Sequence, residues 1–167
     1  IIAVHLYGNL CEMKEIMDIG KRFKIPVIED AAEAIGSTYH GQPAGSMGIF
    51  GTFSFHGTKT ITTGEGGIFV TDNEEIYKKA LTLSNHGRDK EQTKQFWPDE
   101  IGFKYKMSNV QAAIGYGQIL RADGIVNRKR EIFFNYKKLL KNYNFNMNYE
   151  NRNQKNSFWL PVIIYDK

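Results

Sequence analysis

Residues 53–67 read Phe-Ser-Phe-His-Gly-Thr-Lys-Thr-Ile-Thr-Thr-Gly-Glu-Gly-Gly, and set one lysine, Lys59, in a glycine- and threonine-rich loop between the apolar runs 49–55 and 68–70. On its own a loop lysine is a solvated surface charge. Two other residues give it chemistry. Asp30 closes an apolar run 29 residues upstream, at the strand end where open α/β sheets bind ligands. Ser54, five residues before Lys59, offers a hydroxyl. An amine, a carboxylate and a hydroxyl at one sheet edge form the set that pyridoxal 5'-phosphate requires. The amine forms a Schiff base with the aldehyde, and the carboxylate keeps the pyridine nitrogen protonated so that the ring acts as an electron sink. The hydroxyl and backbone amides cradle the phosphate. Asp30 is equally placed to cap the turn that follows it. The Gly-Thr-Lys-Thr order is not a nucleotide-binding loop, because Thr58 separates Gly57 from Lys59.

The elements that must position these groups alternate along the chain. Residues 1–6 are apolar and of strand type; Asn9 and Glu12 have capping-box spacing ahead of Met13, Ile16, Met17, Gly20 and Phe23; residues 25–28 are apolar again. That order predicts a βαβ unit of a parallel sheet covered on both faces. In the extended segment that follows, Asp30 and Ala32 point one way and Glu29 the other. Residues 36–48 predict a hairpin or loop excursion, and 49–55 and 66–71 predict strands on either side of the Lys59 loop. Asp72 with Glu75, and Ser108 with Gln111, predict capped helices continuing through Leu83 and Gly117. Residues 85–102, carrying His86, Arg88, Trp97 and Pro98, form a long loop of the kind that is usually functional or mobile. An interruption at 121–124 precedes a long helix marked by Ile125, Ile132, Phe133, Tyr136 and Leu140, and the Asn-rich stretch 142–156 leads to a strand over 158–165. The fold class is α/β, a mainly parallel sheet with helices on both faces.

Composition narrows the function classes. The chain of 167 residues is 41% hydrophobic and 13% aromatic, enough for one good core. No run of about 18 apolar residues is present, so no membrane span is expected. The chain begins Ile-Ile-Ala-Val, without a starting Met, a basic leader or a cleavage site; it reads as a piece of a longer protein with no signal peptide. The single cysteine, Cys11, suggests a reducing, cytoplasmic setting. The four histidines have neither helical zinc spacing nor a cysteine pair beside them, so no metal site is expected. The net charge of +4 is uneven: residues 1–120 carry 12 Lys and Arg against 14 Asp and Glu, residues 121–167 carry 10 against 4. The basic residues of 128–141 are interrupted at helical spacing by Ile132, Phe133, Phe134 and Tyr136, which favours the solvated face of an amphipathic helix over nucleic-acid binding.

Three ordered segments together carry a resemblance: Ile-Glu-Asp-Ala-Ala-Glu-Ala at 28–34, the stretch 53–67, and Gly-Phe-Lys-Tyr-Lys-Met-Ser-Asn-Val-Gln-Ala-Ala at 102–113. The chain resembles the nucleotide-sugar aminotransferases of the DegT/StrS family, and within it the perosamine synthases. The resemblance implies fold type I of the pyridoxal phosphate enzymes, with residues 1–121 as part of the cofactor-binding large domain. Residues 122–167 would then be an interdomain helix and the beginning of a small α+β domain. It implies a homodimer with shared active sites, a nucleotide-linked keto-sugar as substrate and an amino acid, glutamate, as donor. By position it makes Lys59 the Schiff-base lysine and proton shuttle, Asp30 the partner of the pyridine nitrogen, Ala32 a neighbour of the ring, and Ser54 a phosphate ligand. Glu33 stands where many members have Gln or His facing the phenolic oxygen; an ionised carboxylate there would repel a phenolate, so Glu33 is expected protonated or turned away. Lys104 stands where many members place an Asn that reaches the partner's phosphate. His86 and Arg88 fall in a loop near the substrate, whereas His5 is expected to be a packed histidine and Tyr7 to support the residues that contact the site, neither of them catalytic. A branch that removes a sugar hydroxyl has His in place of the lysine, so Lys59 favours transamination. By the same comparison the N-terminal part and the end of the small domain are missing, so this piece alone is expected to bind cofactor weakly and to catalyse little. A non-enzymatic regulator that kept the fold is the alternative.

Overall fold

The computed structural model describes residues 1–165. Strands β1 (Ile2–Val4), β2 (Ile28–Asp30) and β5 (Gly51–Ser54) run parallel, and β6 (Gly67–Val70) closes the four-stranded sheet antiparallel to β5, in the order β1-β2-β5-β6. Val4 lies opposite Asp30, and Asp30 opposite Thr52, so the C-terminal ends of the three parallel strands share one edge. The chain returns from β5 to β6 through the Lys59 loop, too short for a helical crossover, and the pairing is therefore antiparallel.

Helix α1 (Met13–Phe23) makes the crossover from β1 to β2. It stops at Lys24, whose left-handed backbone (φ 54°) lets its N–H reach the carbonyls of Gly20 and Lys21. Ala3, Leu10, Met13, Val27, Ala31 and Ala34 form the core beneath it. The expected capping box of Asn9 and Glu12 does not form, and α1 has no side-chain cap. Glu12 is drawn away instead, accepting from the Tyr39 hydroxyl at 3.2 Å and from Gln154 Nε2 at 3.0 Å.

Residues 36–48 contain the expected hairpin, β3 (Thr38–Tyr39) against β4 (Gln42–Pro43). Helix α2 (Glu74–Ser84) is capped by Asn73, whose Oδ1 accepts from the Ile76 amide at 3.0 Å, one residue later than expected. Helix α3 (Asn109–Ile119) carries the full capping box of Ser108 and Gln111. Helix α4 (Ala122–Leu139) takes in Gly124, so the interruption shrinks to a single turn.

Strands β7 (Asn146–Met147) and β9 (Ile163–Ile164) pair, and β8 (Gln154–Lys155) adds to β3. The strand expected over 158–165 is thus only two residues long. Phe158 instead takes a left-handed backbone (φ 51°) and buries its ring on Phe133, centroids 3.6 Å apart and planes 5° from parallel. These contacts fold residues 154–159 back over the N-terminal sheet.

Candidate active site

The loop that carries Lys59 is held from both ends. Phe55 O accepts from the Thr63 amide at 2.9 Å and the Thr62 hydroxyl at 3.1 Å, and the Lys59 amide donates to His56 O at 2.9 Å. Gln118 of α3 clamps Thr62, accepting from its N–H at 3.1 Å and donating to its carbonyl. Lys59 is therefore a fixed, mostly buried side chain, 14% exposed.

Its Nζ lies 3.1 Å from Glu33 Oε1 and 4.2 Å from the centre of the Trp159 ring. The other Glu33 oxygen accepts from the Tyr7 amide at 2.8 Å, which is presented by a left-handed backbone at Tyr7 (φ 57°, ψ 23°). The Tyr7 ring is stacked with Trp159 at 6.1 Å and 14°. Glu33 is thus the counter-ion of Lys59, a role the sequence did not indicate.

Asp30 and Ser54 end neighbouring parallel strands on the same edge. Asp30 is half-buried, and its Oδ1 accepts from the Ala32 amide at 3.0 Å, so one oxygen does cap the turn. Its other oxygen has no hydrogen-bond partner among the described residues. Ser54 Oγ accepts from the His56 amide at 3.2 Å and retains its proton for a further acceptor. A held amine, a carboxylate with an open oxygen and a hydroxyl with an open donor fit the groups of pyridoxal phosphate.

Beneath this edge lies a closed polar pair. His5 Nε2 is 2.9 Å from Glu29 Oε2, and both residues are 1% exposed. Glu29 also accepts from the amides of Gly45 (2.8 Å), Met47 (2.6 Å) and Gly48 (2.6 Å), which ties the 36–48 excursion to β2. Burial pushes the Glu29 carboxyl up, but the bonds from His5 and the three amides outweigh it and hold the group below its ordinary value. Burial likewise opposes protonation of His5, yet the Cys11 and Glu29 side chains beside it raise its pKa to about 9. His5 is a packing residue, as expected.

The remaining expected residues are not brought to Lys59. Lys104 is exposed and bridges to Asn85. His86 (φ 62°) and Arg88 line a separate hollow of about 440 Å³ with Phe96, Trp97 and Pro98. Trp159, which does reach Lys59, was missed: it lies 100 residues downstream, and no local pattern marks it.

The strand order, the shared edge and the Lys59 loop define an α/β fold with a held lysine at the C-terminal edge of a mainly parallel sheet. The chain belongs to the DegT/DnrJ/EryC1/StrS aminotransferase family, whose model matches residues 1–167. It is 42% identical over 164 residues to a GDP-perosamine synthase of Escherichia coli O157:H7, covering 98% of this chain and 44% of that one. It is 38% identical over 167 residues to a GDP-perosamine synthase of Vibrio cholerae, covering 100% and 45%. Among solved structures, Helicobacter pylori PseC, an aminotransferase involved in the biosynthesis of pseudoaminic acid, superposes with a TM-score of 0.93 at 26% identity, covering 100% and 45%. The PMP-form of the putative sugar aminotransferase Spr1654 of Streptococcus pneumoniae gives 0.88 at 29% identity, covering 98% and 46%. The chain spans less than half the length of these relatives. Among the described residues, no helix is long and apolar enough to cross a membrane.

Proposed function

We propose that the full-length protein is a pyridoxal phosphate-dependent aminotransferase that passes an amino group from an amino acid, glutamate, to a keto-sugar carried on a nucleotide. Its product is an amino sugar for glycan or polysaccharide biosynthesis. The observation that carries this reading is the lysine held between Glu33 and Trp159 at the strand edge that also bears Asp30 and Ser54. Family membership over the whole chain supports it, as do relatives named as GDP-perosamine synthases and as a transaminase of an altrosamine nucleotide.

When bound, the cofactor supplies the electron sink for transamination. Lys59 Nζ is the amine that would hold it and, once free of it, the group that would move the proton at the substrate carbon. Asp30, through the oxygen not used by Ala32, would hold the pyridine nitrogen in its protonated form. Ala32 would face the ring, and the Ser54 hydroxyl would donate to the phosphate. Glu33 keeps Lys59 in place before the cofactor arrives; beside a phenolate it would have to take up a proton or turn away. In a homodimer with shared sites Lys104, exposed in the single chain, reaches the partner's phosphate as a point charge. His86 and Arg88 contact the nucleotide sugar. We place residues 1–121 in the large domain and 122–167 at the start of the small one, and the protein in the cytoplasm.

The test is a panel of keto-sugars carried on GDP, UDP and dTDP, each incubated with glutamate and the full-length, cofactor-loaded protein. Amino-sugar formation from one of them is expected. Bound cofactor with no turnover of any would point to a regulatory protein instead.

A further inference from the structure

Lys59 is gripped by a residue from the far end of the chain. Trp159 is 7% exposed; its face lies 4.2 Å from Lys59 Nζ, and its Nε1–H donates to the carbonyl of Thr58, the peptide that leads into Lys59, at 2.9 Å. One side chain therefore fixes both ends of the lysine. The π face attracts the ammonium, and the indole N–H fixes the backbone from which it hangs.

The segment that carries Trp159 is itself held by four contacts. Ser37 Oγ accepts from the Ser157 amide at 2.9 Å and donates to Gly8 O at 2.6 Å. The neighbouring Phe158 is stacked on Phe133 of α4, and Lys129 Nζ of the same helix donates to Trp159 O at 3.2 Å. Asn156 Oδ1 accepts from the Phe158 amide at 2.7 Å, locking the left-handed turn that aims the indole back at the sheet edge. A bulky residue held in a left-handed conformation is strained, and such strain persists only where the surroundings over-determine it. The strain here sets the direction of Trp159.

We infer that Trp159 is a positioning residue for Lys59, so that docking of residues 154–159 on the N-terminal sheet completes the lysine site. Glu33 supplies the charge that keeps the ammonium, and Trp159 supplies the direction in which it points. This deepens the reading of Lys59 as the reactive amine and takes its meaning from it.

The experiment is NMR of the full-length, cofactor-free protein labelled with 13Cε-lysine, with the Lys59 signal assigned by its loss in Lys59→Arg. The Lys59 Hε resonances are expected upfield of the ordinary lysine range, displaced by the indole ring current. In Trp159→Leu they should return to the ordinary lysine range. In Trp159→Phe, which keeps a buried ring and with it the fold, the displacement should fall by about half, since the phenyl ring is smaller and lacks the N–H that fixes Thr58. Trp97→Phe, at an exposed tryptophan paired with Lys94, should leave the Lys59 signal where it was. A second readout is the pyridoxal 5'-phosphate trapped on Lys59 by borohydride, quantified by peptide mapping. It should fall about tenfold in Trp159→Leu. A Lys59 signal at the ordinary position in the wild type, or unchanged in the Phe variant, overturns the positioning role. Failure of the wild type to trap cofactor on Lys59 overturns the reading of Lys59 itself, whatever the NMR shows.

Discussion

Glu33 and Lys59 form an ion pair of 3.1 Å with side chains 20% and 14% exposed, and the second Glu33 oxygen is taken by the Tyr7 amide. The pair therefore ties the turn after β1 to the turn after β2 and to the lysine loop. Glu33→Gln leaves one acceptor oxygen, which can serve the Tyr7 amide or the ammonium but not both, and removes the opposing charge. It should lower stability by about 1 kcal/mol, seen as a lower urea midpoint at unchanged slope. Glu33→Lys, which sets two cations together, should cost clearly more.

The buried His5 and Glu29 give stability a defined pH dependence. The pKa of His5 is raised from 6.5 to about 9, so the folded state binds this proton more tightly than the unfolded chain. Its contribution is complete below pH 6.5 and is lost as pH rises through about 9. That of Glu29 is lowered from 4.5, so its contribution is present above pH 4.5 and is lost as pH falls through the folded value. Urea denaturation should show greatest stability between these limits, with stability falling on the alkaline side as pH rises through about 9. His5→Gln should flatten the alkaline limb. Glu29→Ala leaves the buried Gly45 amide and the partly buried Met47 and Gly48 amides without an acceptor and should cost about 3 kcal/mol.

Helix caps separate sequence pattern from realised structure. Ser108→Ala removes a bond to the Gln111 amide and half of a capping box, so about 1 kcal/mol should be lost. Asn73→Ala should lose a similar amount, whereas Asp72→Ala, one residue outside the realised cap, should change little. Thermal or urea unfolding of the three variants orders them.

Sequence pattern specifies what residues near one another in the chain decide among themselves. The βαβ unit, the Lys59 loop and the Ser108 box were legible because apolar runs and capping residues act within a few residues of one another. The Asn9–Glu12 box was not realised because Tyr39 and Gln154, distant in sequence, compete for the Glu12 carboxylate. The strand expected over 158–165 was shortened because Phe158 and Trp159 gain more by burial on α4 and the lysine loop than by pairing as a strand. Asp30 and Ser54 could be placed on one edge from strand order alone. The grip of Trp159 on Lys59 could not, since it depends on how a left-handed turn 100 residues away is seated.

The central claim is that Lys59 is the amine that holds pyridoxal phosphate. Its most direct measurement is the visible absorbance of the full-length protein after addition of the cofactor, compared between wild type and Lys59→Ala. The wild type should develop the absorbance of a lysine-linked cofactor, which borohydride abolishes while fixing the label permanently on Lys59, and the variant should show only the spectrum of the free aldehyde. An identical linked-cofactor spectrum in the variant would contradict the account.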